Sequence, residues 1–168
     1  MTVRVVLVGL PGVGKSSVGA ALASELEVAF VDLDDVVASR CGAPPAALLR
    51  RHGERAFRSL EAEALAAALA GKHDAVLATG GGTVESATAR ALLADEPLVV
   101  QLVAPSTCLL GRLGDVDRPL LEAPTIDALD ALAARRGAWY DEVADARVDA
   151  SGPIDDVVDA VARLVVRT

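Results

Sequence analysis

Gly9-Leu10-Pro11-Gly12-Val13-Gly14-Lys15-Ser16 follows an apolar run over 3–8 and precedes Val18, Leu22 and Leu26, which recur at helical spacing. Strand, glycine-rich loop and helix in that order fit the phosphate-loop pattern GxxxxGK[ST]. The loop's backbone N–H groups turn inward around phosphate oxygens, and the N-terminus of the next helix adds a favourable dipole. Lys15, one of only two lysines in the chain, brings a point charge to the β- and γ-phosphates, while the Ser16 hydroxyl offers a ligand to Mg2+. Gly12, Val13, Gly14, Lys15, Ser16 and Ser17 are therefore the expected nucleotide-binding residues, with ATP and Mg2+ as the implied cofactors. A bare glycine turn would leave the lysine's position unexplained, although phosphate binding alone does not establish transfer.

Working outward, a second strand is predicted over 28–33, with Asp32 and Asp34 at its end. Two residues apart on an extended chain, they would face one side. Helical patterns follow at 35–39, 46–51 and 55–70, broken by the Gly-Pro-Pro stretch 42–45. A third strand, 75–78, runs directly into Gly80, Gly81 and Gly82. A helix at 87–93, a strand at 98–103 and a helix at 107–113 come next. The irregular polar stretch after them, with no periodicity, reads as a loop or flap. A helix over 126–143, a weak strand at 147–150 and a strongly amphipathic helix over 154–165 close the chain. Such alternation predicts an α/β domain of three layers, α/β/α, around a central, mainly parallel five-stranded sheet that binds ligands beyond the carboxyl ends of its strands.

Composition limits the partners. The 168 residues, 52% of them hydrophobic, suit one core. A formal charge of -8 opposes nucleic acid and anionic membrane surfaces, which require clustered positive charge. An anionic substrate would have to be held by arginines gathered in a pocket, where water screens them less. Cys41 and Cys108 lie far apart without CxxC spacing, and the first residues show neither a signal-peptide pattern nor a bilayer-length apolar run. A reduced, cytoplasmic, monomeric protein is expected.

The runs GLPGVGKSS, VDLDD, GERAFRSLE, GGGTV, DRPLL and ARRGAWY, in that order across nearly the whole chain, resemble the shikimate kinases, which are P-loop small-metabolite kinases. The resemblance implies one P-loop kinase domain over 1–168, with a substrate-binding segment at about 33–61 and a mobile lid at about 112–125. The implied reaction is transfer of the ATP γ-phosphoryl group to the 3-hydroxyl of shikimate. Asp34 would orient that hydroxyl, Asp32 would support Mg2+, and Arg58 and Arg136 would bind the carboxylate through planar donor forks. Gly81 and Gly82 would complete the clamp, with Arg118 closing over the phosphates from the lid. Lys15, Asp34 and Arg118 are thus the implied catalytic residues. Glu61 would hold Arg58, and Phe57 would either support the substrate ring or belong to the core.

Two departures from the family pattern stand out. Leu49 occupies a position near which family members often carry an aromatic residue, just after Pro44-Pro45. The run Ala150-Ser-Gly-Pro-Ile lacks the arginine that stacks on adenine in the family, leaving Arg112 as the candidate there. A gluconate kinase-like enzyme or a non-catalytic nucleotide-binding homologue are the rival readings. The first would need another acceptor site, and the second would not need Lys15, Asp34 and Arg118 together.

Overall fold

A computed structural model describes residues 3–71, 73–114 and 124–165. Its strands are β1 (Arg4–Val8), β2 (Ala29–Asp32), β3 (Ala75–Ala78), β4 (Val99–Val103) and β5 (Ala146–Asp149). They form one sheet in the order β2-β3-β1-β4-β5. Every pairing is parallel, including Val6 with Leu77 and Val99. The helices are α1 (Lys15–Glu25), α2 (Leu33–Cys41), α3 (Pro45–His52), α4 (Glu54–Ala70), α5 (Ala87–Ala94), α6 (Ser106–Leu113), α7 (Ile126–Val143) and α8 (Ile154–Val165).

The apolar run of β1 is continuous because both of its faces are covered. Val5 and Leu7 join a core with Leu22, Leu109 and Val161, from α1, α6 and α8. Val6 and Val8 point the other way, to Leu33, Leu65, Leu93 and Tyr140. Full burial of each such side chain stabilises the fold by roughly 1.5–3 kcal/mol. Helix α7 serves both sides, giving Leu129 to the first core and Tyr140 and Val143 to the second.

Most predicted elements recur within a residue or two, and the middle of the chain is where reading and structure part. Asp34 is not on a strand. β2 stops at Asp32, whose carboxylate caps α2 by accepting from the Asp34 N–H at 3.0 Å. Asp34 therefore lies in the first turn of a helix, and a capped helix start, not strand alternation, sets the two acids close together. Pro44 caps α3 and Pro45 occupies its first turn, where a missing N–H costs nothing. After β3 the glycines lead into a short 3-10 turn, Thr83–Glu85, that periodicity did not reveal. No described helix is long and apolar enough to cross a membrane.

Candidate active site

The loop between β1 and α1 takes its shape from its glycines. Gly12 and Gly14 have φ of 81° and 102°, a region that side-chain-bearing residues seldom enter. Lys15, 8% exposed, folds back so that its Nζ donates to the carbonyls of Gly9 at 2.8 Å and Leu10 at 3.1 Å. Ser16 Oγ donates to Asp32 Oδ2 at 2.5 Å, tying the start of α1 to the cap of α2. Among the described residues no cluster of three or more His, Cys, Asp or Glu could hold a metal. One hydroxyl beside one carboxylate is nonetheless the sparse donor set that suits Mg2+, which keeps waters and phosphate oxygens as its other ligands.

These groups line a cavity of about 440 Å³ that extends from the phosphate loop to Asp32, Asp34, Thr79, Gly80 and Gly81 on one side and to Ala150, Gly152, Ile154 and Val157 on the other. Arg112 stands at its wall, donating to the carbonyls of Val13 at 3.3 Å and Ser151 at 3.4 Å. It thereby bridges the phosphate loop to the segment where the adenine-side arginine has no counterpart.

The glycines at 80–82 serve close packing of protein on protein. None has positive φ. A Cβ on Gly80 would lie 2.5 Å from Glu61 Oε1, and one on Gly81 would lie 2.7 Å from Pro11 Cδ. One on Gly82 would lie 2.5 Å from Arg58 Cζ. The three residues thus bring the phosphate loop and α4 within contact distance of the turn after β3.

Arg58 and Arg136 meet at this turn. Arg58 Nη1 donates to Glu61 Oε2 at 2.9 Å, and Glu61, 2% exposed, also accepts from Thr83 Oγ1 at 2.8 Å. The Arg58 guanidinium lies 5.5 Å from the centroid of the Phe57 ring. Phe57 is itself 6% exposed and packed in the second core. Arg136 Nη1 donates to the Gly81 carbonyl at 2.9 Å, and the Tyr140 hydroxyl donates to the same oxygen at 2.8 Å. Burial is the main force raising the Tyr140 phenol to about 12, against the pull of the Arg136 charge. Glu85 accepts from Arg136 Nε at 2.7 Å and from Arg135 Nη2 at 2.6 Å. Burial pushes its carboxyl up, but hydrogen bonding to Arg136, the charge of Arg136 and hydrogen bonding to Arg135 outweigh it and hold Glu85 below its usual range.

Sequence reasoning missed Gly80, Thr83, Glu85 and Tyr140. Tyr140 carried a usable signal, one helical turn after Arg136. Glu85 and Thr83 carried none, since only the turn's path brings them to the arginines. Leu49 packs at the edge of the second core. Arg118 and most of the expected lid lie outside the described residues.

A family model described as shikimate kinase matches residues 11–165. A shikimate kinase of Geobacter sulfurreducens is 44% identical over 166 residues, spanning 96% of this chain and 90% of the relative. The structure of a shikimate kinase from Acinetobacter baumannii in complex with shikimate superposes with a TM-score of 0.92 at 32% identity, covering 99% of this chain and 94% of that one. The fold reaches beyond the family: a gluconokinase from Sinorhizobium meliloti superposes with a TM-score of 0.66 at 19% identity, over 98% of this chain and 92% of that one.

Proposed function

Since the chain belongs to the shikimate kinase family, whose members are ATP-dependent phosphotransferases acting on an alcohol group, we propose that it transfers the γ-phosphoryl group of ATP to the 3-hydroxyl of shikimate. The observation that carries this reading is the position of Gly81. It packs against Pro11 of the phosphate loop, while its carbonyl receives Arg136 and Tyr140. Donor and acceptor sides thus share one turn.

The backbone N–H groups of 12–17 and the Lys15 ammonium bind the polyphosphate, Lys15 exchanging loop carbonyls for phosphate oxygens. Ser16 and Asp32 hold Mg2+, which when bound neutralises charge on the phosphoryl group. Asp34, on the cavity wall, accepts the hydrogen bond of the acceptor hydroxyl and aims its oxygen, and it is the base that takes the proton. Arg58 and Arg136 grip the acceptor carboxylate beside Gly81 and Gly82. Arg112 lies along the nucleotide base, and Arg118, in the expected lid segment 112–125, supplies a further positive charge for the phosphates. Most of the rate acceleration comes from holding the two reactants in line. The chain works as a single domain over 1–168, as a cytoplasmic monomer, with 33–61 as its substrate-binding segment.

The test is ADP release with shikimate, with gluconate and with no acceptor. Release that depends on shikimate is expected. Release with gluconate alone, or none despite ATP binding, overturns the reading.

A further inference from the structure

Arg136 is 3% exposed, and a charge so far from water is costly unless its N–H groups are met. Two of its edges are fixed by a single turn, Nη1 by the Gly81 carbonyl and Nε by Glu85 Oε1 at 2.7 Å. Those two bonds engage Nε and Nη1, and neither engages Nη2. The Glu85 side chain is itself only 10% exposed, and the same oxygen that holds Arg136 also holds Arg135. Glu85 already accepts from both arginines, and its negative charge would repel an acceptor carboxylate, so it does not serve the acceptor directly. It can act only through the arginine it grips, and the charge-assisted bond it makes is both short and directional.

We propose that Glu85 is a positioning residue, which orients the buried Arg136 guanidinium so that its remaining edge meets the acceptor's carboxylate. The inference rests on the shikimate reading above. A purely structural ion pair, tying α7 to the turn after β3, would instead affect stability and leave acceptor binding alone.

Steady-state kinetics of the full chain, with each substrate varied in turn, distinguish the two. Glu85→Ala leaves Arg136 free to rotate and is expected to raise KM for shikimate at least about tenfold, with kcat and KM for ATP within about twofold. Glu85→Gln keeps an acceptor oxygen but loses the charge assistance, so its KM for shikimate is expected to rise only about threefold. Should Glu85→Ala fail to fold, Glu85→Gln decides alone. Unchanged KM for shikimate overturns the inference, and so does a fall in kcat together with an equal rise in both KM values. If the unmodified chain releases ADP with shikimate and the variants behave like it, the inference alone fails. If the unmodified chain does not use shikimate, the underlying reading fails and the inference with it.

Discussion

Arg58 lies across the backbone of Gly82, so close that a methyl group there would stand 2.5 Å from Arg58 Cζ. The glycine keeps the guanidinium against Glu61 Oε2, 2.9 Å away. The arginine's place is therefore decided from below by a missing side chain and from the side by a buried carboxylate.

Gly82→Ala should displace Arg58 while sparing the phosphate loop. Because the colliding group is the far end of a flexible side chain, the protein should fold, and the cost should fall on acceptor binding. KM for shikimate is expected to rise about tenfold, equivalent to about 1.4 kcal/mol, with KM for ATP unchanged. Steady-state kinetics with each substrate varied will show it, and an equal rise in both KM values would contradict it.

Asp32 has two tasks, capping α2 and standing beside Ser16, and two substitutions separate them. Asparagine caps about as well as aspartate, whereas alanine forfeits about 1 kcal/mol, or about 2–4 °C in Tm for a chain of this size. Asp32→Asn should keep Tm but need more Mg2+ for half-maximal rate. Asp32→Ala should lose both. Magnesium titrations that match the unmodified chain would remove Asp32 from the metal site.

Tyr140 gives the protein an alkaline limit. Its phenol is raised to about 12, so the folded state holds this proton more tightly than the unfolded chain does. The contribution is whole below pH about 10 and is lost as pH rises through about 12, about 3 kcal/mol in all. Tyr140 is the only tyrosine, and Lys15 and the lysine at 72 are the only lysines, so few other groups titrate there. Tyr140→Phe should lose about 1 kcal/mol at neutral pH, through its bond to the Gly81 carbonyl, yet show a flatter alkaline decline. Denaturant unfolding between pH about 9 and 11.5 measures this. An equally steep decline in both proteins would refute it.

The phosphate loop was legible because strand, glycines, lysine and helix lie within one contiguous stretch, where local conformation alone fixes which atoms face the ligand. The alternating pattern of strands and helices was legible for the same reason, since period and turn chemistry are local properties. Asp34 was found but assigned the wrong local structure. Alternation cannot foresee that a side chain will cap a helix and end the strand at Asp32, one residue early.

What the sequence by itself determined was the layered α/β architecture, the glycine-rich loop between β1 and α1 and, through its six ordered motifs, the family. The tertiary structure decided how the two arginines are held. Arg58 depends on Glu61, Thr83 and Gly82, and Arg136 on Glu85, Tyr140 and Gly81. Those partners come from α4, the turn after β3 and α7, as much as 55 residues apart for Arg136 and Gly81. A buried charge takes whichever acceptors packing brings within reach, and that choice is made only when the three elements meet.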